Sequence, residues 1–331
     1  MAEYIIQEET LTNLADAIRK NTDSSEVFSP AQMINAIDDI MIKGQTNMIE
    51  GNFPSNFENN IASKIRNGAF YNCTSLTTVS FPACKTIGSS AFYYCSSLIT
   101  TSFPTCTNIG NSAFQNCISL AAASFPACET IGNSAFYYCA SLTTASFPVC
   151  KTIGSSAFYY CASLTDASFP ACTNIKGMAF FGCSSLIIVS FPACETIENA
   201  AFSGCPLLTA VSFPACTSID KFAFRNCTSL TTVSFPVCTS IGSSAFYNCT
   251  SLTDASFPAC ETIGNSAFQK CESLTTIHLM GSILCSLLNS IAFSGTGITS
   301  TTGTIYVPAS LATLYKSASM WSYFSSIIQG V

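Results

Sequence analysis

The sequence predicts a repeat solenoid of about ten 22-residue rungs, with a parallel β-sheet on one face and short helical or irregular turns on the other. Three observations predict it. Cysteine recurs every 22 residues from Cys73 to Cys271, and a second column, Cys84 to Cys260, interleaves with the first, leaving only Cys285 outside. Apolar columns keep the same step: Leu76 to Leu274, Phe70 to Phe268 and Ile65 to Ile263. Ser-Phe-Pro returns in nine successive rungs, from Phe81 to Phe257. A fixed period of this length marks stacked supersecondary units that bury their apolar sides only against one another.

Each part of a rung has its own reason. In the rung from Cys139 to Phe158, Leu142, Ala145 and Phe147 have the Leu-x-x-Leu-x-Leu spacing of a leucine-rich repeat. Residues 142 to 147 are therefore expected as the strand. Period-two alternation turns Ala145 and Phe147 inward and Thr144 and Ser146 outward. Pro148 has no N–H for a ladder and ends the strand. The chain then returns through Cys150, Ile153, Ala157 and Phe158, whose spacings of three to four residues suit turns rather than a second long strand. Ten rungs at the ~4.8 Å strand spacing make a body roughly 50 Å long.

The thiol columns admit a metal ladder or stacked disulfides, and both are disfavoured. In-register side chains point in parallel, so their Cβ atoms stay ~4.8 Å apart, beyond the ~3.8 Å of a disulfide. Tetrahedral metal sites want convergence, not parallel rows. Free cysteine behaves as a small hydrophobe, and the columns are expected to be core.

The unit Ala-Phe-x-x-Cys-x-x-Leu-x-x-x-x-Phe-Pro-x-Cys-x-x-Ile-Gly resembles the BspA-like, Treponema-type leucine-rich repeat over residues 61 to 280. The chain departs from that pattern in having Phe before the Pro and a second Cys where Leu or Val is common, and both changes keep the position apolar. The resemblance implies a leucine-rich-repeat fold and a role in binding or adhesion. Residues Ile305 to Lys316 and Trp321 to Phe324 are similar to the closing segment of many proteins in that family. Physically they read as a cap: a last strand ending at Pro308 and an amphipathic helix that cover an otherwise open sheet edge.

Three segments are expected: a helical module at 1–44, the solenoid at 45–280 with a degenerate first rung at 45–69, and the cap at 281–331. In the first, Leu11, Leu14 and Ile18 form one helical stripe. Ser29-Pro30-Ala31-Gln32 reads as an N-cap, Pro at N1 and a capping-box Gln ahead of Met33, Ile34, Ile37 and Ile40, and Gly44 ends that helix. The run Leu11 to Arg19 followed by Ser29 to Met33 resembles N-terminal segments of tail-associated proteins of phages and prophages from gut Firmicutes. That resemblance implies attachment to other virion proteins, or self-association, through residues 1–44. The alternative is a cap packed on the first rung.

Composition narrows the function. Only 9% of the 331 residues are charged, 48% are apolar, and the net charge is −6. Nucleic-acid binding needs clustered Lys and Arg and is not expected. With one histidine, His278, no multi-His metal site or His-activated nucleophile is expected, and no phosphate-cradling glycine loop or nucleophile–base pair is found, so no enzyme, metal or cofactor is expected. His278 itself is read as an exposed substitution near the cap. The start of the chain has no basic n-region or long apolar h-region, and no run of about 18 apolar residues exists, so neither a secretory signal nor membrane insertion is expected.

The surface instead carries hydroxyls and phenols. Thr144, Ser146, Asp166 and Ser168 point outward from the strand face. Tyr93, Tyr94, Tyr137, Tyr138, Tyr159 and Tyr160 follow the Ala-Phe pair on the other side. Tyr with Ser and Asn is the composition of a paratope, so these ten residues are the candidate ligand surface. The plainer reading keeps them as solubilising cover, and a flat ice-binding face is disfavoured because Ala122, Asp166, Ile188, Ala210 and Asp254 interrupt the rows. The expected function is non-catalytic: a phage or prophage tail-associated receptor-binding component, in a virion or outside the cell, with a protein or glycan partner on a bacterial or host surface. The alternatives are a bacterial cell-surface adhesin and a purely structural spacer.

Overall fold

The computed structural model describes residues 55–60, 62–299 and 301–331. The expected N-terminal helices at 1–44 lie outside the described residues. Each rung contributes three hydrogen-bonded runs. The first is a row of three-residue parallel strands from Asn56–Glu58 to Thr276–His278, paired at a step of 22 residues, as in Ala123↔Ala145 and Ala145↔Ala167, and broken into three sheets between Thr100–Ser102 and Ala122–Ser124 and between Ala210–Ser212 and Thr232–Ser234. The strand expected at 142–147 is the shorter Thr144–Ser146, because Pro148 and the turn at Cys139–Leu142 leave only three residues extended.

The second run is a ladder of two-residue strands, Lys64–Ile65 to Ser286–Leu287, eleven strands without a break. The pairing Ile109↔Ile131↔Ile153 repeats the buried isoleucine column along it. The third is the turn carrying Ala-Phe. It is irregular rather than helical: Ser90, Phe92 and Tyr94 donate their N–H groups to Asn111, Ala113 and Gln115 of the next rung at 2.8, 2.7 and 2.9 Å. Ser90 and Tyr94 sit at φ +55° and +59°, and the same two positions are left-handed in rung after rung. A backbone unusual for side chains with a Cβ persists here because both neighbours dictate it.

The core is a lattice. Phe92 stacks on Phe114 at 5.1 Å and 5°, Phe103 on Phe125 at 5.7 Å and 9°, and the two columns meet edge to face, as Phe125 does Phe136 at 6.0 Å and 62°. Each buried phenylalanine contributes about 1.5–3 kcal/mol, and each aromatic pair about 0.5–1.5 more. Nineteen of the twenty cysteines are buried and Cys73 is half-buried. Their thiols also complete the backbone. Cys139 donates to the carbonyl of Phe114 at 3.1 Å, one rung back, and Cys150 to that of Thr152 at 3.3 Å, and both patterns repeat along the columns. That weak donor separates cysteine from an aliphatic residue of its size.

The Ile-Gly step holds the rungs close. A Cβ on Gly132 would lie 2.6 Å from the backbone nitrogen of Asn111. Lys176 and Glu198 take the same position two and three rungs on, where the N–H bonds to Ile153 and Ile175 are 3.1 Å against 2.8 Å at Gly132. Their side chains pair at 2.7 Å.

The cap extends the first row through Thr304–Val307, ending before Pro308, and then through Ile328–Gly330, a strand the sequence reading lacked. Between them run Ala309–Leu311, the helix Ala312–Ser317 and Trp321–Phe324. Buried Tyr315 accepts from the N–H of Cys285 at 2.9 Å, and the Trp321 indole donates to its carbonyl at 2.7 Å. Cys285 breaks the 22-residue step yet continues the second column, its thiol donating to that of Cys260 at 3.4 Å.

Candidate interaction surface

The strand face presents the expected polar groups. Thr144, Ser146, Asp166 and Ser168 are exposed, with Asp166 beside Thr144 and Ser168 beside Ser146. Among the described residues their side chains make no hydrogen bond. The hydroxyls one residue earlier are used internally: Thr143 donates to the carbonyl of Ala121 at 3.0 Å and Thr165 to that of Thr143 at 3.2 Å. Exposed Ile187 and Ile188 interrupt the face. At its C-terminal end His278 is more engaged than its sequence context suggested. It lies 3.2 Å from Asp254 and stacks on Tyr306 at 4.8 Å. The pairing was legible only from the 24-residue offset once the register was known.

The six tyrosines do not share that face. From Ser146 to Tyr159 the chain passes through Thr152–Ile153 and two turns, so phenols and strand hydroxyls occupy different sides of the rung. On the turn side they form two columns. In the inner one Tyr71 stacks on Tyr93 at 5.0 Å, Tyr137 on Tyr159 at 4.7 Å, and Tyr159 on Phe181 at 5.0 Å. The outer one holds Tyr94, Tyr138 and Tyr160, with Tyr138 on Tyr160 at 5.2 Å. Exposure differs within each Tyr-Tyr pair: Tyr94, Tyr138 and Tyr160 are 46%, 40% and 38% exposed, whereas Tyr93, Tyr137 and Tyr159 are half-buried; Tyr71, at the start of the inner column, is 44% exposed. Partial burial, then neighbouring phenols, pushes the Tyr93, Tyr137 and Tyr159 hydroxyls above the ordinary tyrosine range. Further along, Arg225 and Lys270 lie over Tyr247, each 5.4 Å from the ring centre.

Chemically this side offers rigid aromatic area at low entropic cost to binding, because the stack fixes each ring before a ligand arrives. Among the described residues no group of three or more His, Cys, Asp or Glu is placed to hold a metal ion, and no helix is long and apolar enough to cross a membrane.

A family model described as the BspA type leucine rich repeat region matches residues 2–98, 63–187 and 195–322. Among solved structures the chain is similar to a leucine rich cell surface protein from Faecalibacterium prausnitzii, with 23% identity, 84% of this chain and 87% of that chain covered, and a TM-score of 0.49. It is also similar to the Treponema pallidum leucine rich repeat protein (25%, 60% and 79%, 0.38) and to the pneumococcal vaccine antigen PcpA (15%, 84% and 78%, 0.40). No curated protein matches the chain. The tail-associated role expected from residues 1–44 draws no support from these matches.

Proposed function

The chain belongs to the BspA-type leucine-rich repeat family, and from that premise we propose that it is a non-catalytic binding protein acting in adhesion at a bacterial cell surface. The observation that carries this reading is the outer tyrosine column, three well-exposed rings held by a stacked scaffold. The resemblance to BspA-like adhesins supports the same role, and the sparse charge favours a ligand held by aromatic and hydrogen-bonding contacts.

The test is capture of bacterial and host cells by the immobilised full chain, compared with the variant Tyr94→Ser/Tyr138→Ser/Tyr160→Ser. Truncating a tyrosine that anchors the centre of an interface costs about 2 kcal/mol or more, so capture should weaken at least about tenfold with the circular dichroism spectrum unchanged. Equal capture by the variant would move the site to Thr144, Ser146, Asp166 and Ser168, to be tested by alanine at those four. Retention by no cell type would remove the adhesion reading.

A further inference from the structure

Both tyrosine columns are interrupted at one rung between Tyr93–Tyr94 and Tyr137–Tyr138, where Gln115 and Asn116 take the two aromatic positions. We propose, resting on the binding reading above, that this gap seats one neutral hexopyranose ring of a glycan between Tyr94 and Tyr138.

The repeat supplies the geometry. Tyr94 and Tyr138 have φ of +59° and +56°, and each sits 4.9 Å from its inner neighbour, at 54° and 56°. The two rings are thus copies of one pose, two rungs apart. Neighbouring rungs space stacked tyrosines by 4.7 to 5.2 Å, so the rings stand ~10 Å apart along the ladder. Aromatic planes in contact with an inserted ring need ~3.5–4 Å on each side plus its thickness, which leaves room for a single puckered ring. Tyr160 covers one face of Tyr138, and the other looks towards Asn116.

The base of the gap is polar and unpartnered. Gln115 and Asn116 are half-buried, and among the described residues neither side-chain amide has a hydrogen-bond partner. Where asparagines meet in this column they satisfy each other, as Asn248 donates to Asn226 at 3.1 Å; Asn116, flanked by tyrosines, does not. Paired amides supply donors and acceptors together. The corner segments 68–75, 90–97, 112–119, 134–141 and 156–163 contain no charged residue, which selects against acidic sugars. Apolar walls with a polar base fit a ring whose two faces are apolar C–H surface and whose rim is hydroxyl. An aromatic side chain has the faces without the rim and would leave both amides unpaired.

The experiment fills the seat. Asn116→Tyr places in the gap the residue that the same left-handed position holds at Tyr94, Tyr138 and Tyr160, so the rung tolerates it. The full chain and N116Y are titrated by calorimetry with cellohexaose, maltohexaose and mannohexaose, with hexagalacturonate as the acidic control and N-acetyltyrosinamide as the aromatic one. The wild type should bind at least one neutral hexaose, and N116Y should bind it at least about tenfold more weakly with its thermal midpoint unchanged or raised. Binding to none of the neutral hexaoses, equal binding by N116Y, or preference for hexagalacturonate or N-acetyltyrosinamide would overturn the proposal. Capture of cells by N116Y alongside loss of capture by the triple tyrosine variant would overturn the sugar seat and leave the adhesion reading standing.

Discussion

Raising the pH above 9 should unfold the chain cooperatively, and the buried thiols set the midpoint. Eighteen cysteines are held above the ordinary thiol value of 9.0, in most by burial and first by a neighbouring cysteine at Cys73, Cys95 and Cys260. Cys172 is pushed up to about 11, and Cys106, Cys150, Cys205, Cys216 and Cys238 to about 12. The folded rungs keep these protons while the unfolded chain loses them from pH 9 upward. The thiol contribution to stability is therefore complete below pH 9 and is lost as the pH climbs towards 11 to 12. Ionisation favours the unfolded chain by ~0.4 kcal/mol per thiol at pH 9 and ~1.4 at pH 10. The sixteen thiols other than Cys84 and Cys117 then amount to roughly 7 kcal/mol at pH 9 and roughly 23 at pH 10, against about 5–15 for a typical domain.

Far-UV circular dichroism from pH 7 to 11, under argon with reductant and approached from both directions, should show loss of structure complete within about half a pH unit. Iodoacetamide should label nearly all cysteines only beyond that transition. Native dichroism persisting at pH 11, or a gradual change over two pH units of the kind one or two groups produce, would refute the reasoning.

Two substitutions probe the lattice directly. Gly132→Ala forces a Cβ to 2.6 Å from the preceding backbone and should destabilise by about 1–3 kcal/mol in urea unfolding, whereas Lys176→Ala, in a position already opened and carrying a solvent-screened pair, should stay within ~0.5; equal effects would contradict the close-contact account. Thr101 stands on the inward strand position held by Val79 and Ala123, and its hydroxyl is buried with no partner among the described residues. Thr101→Val should raise stability by about 1 kcal/mol, and a loss would mean the hydroxyl is satisfied.

What was legible in the sequence was what repeats through side-chain chemistry. The Phe, Leu, Ile and Cys columns followed from the period, and Ala145 and Phe147 turned inward while Thr144 and Ser146 faced out, as alternation requires. The second ladder was not legible, because Thr152-Ile153 is too short for any alternation to register. Neither were the left-handed turns: serine and tyrosine carry no signal for positive φ, which is imposed on Ser90 and Tyr94 by hydrogen bonds to the next rung. Tyr93 and Tyr94 look equivalent in sequence, yet that backbone leaves one half-buried and the other exposed. The engagement of His278 with Asp254 and Tyr306 needed the register, including the longer step from His278 to Tyr306 through the start of the cap.

The interchangeability of neighbouring rungs reaches beyond stability. Since every turn offers the same upper and lower edge, a gene that gains or loses one such unit yields a longer or shorter molecule with an unaltered interior. Only the sequence of phenols and amides displayed along its flank changes, and a lineage can thus rewrite what it grips by rearranging whole modules.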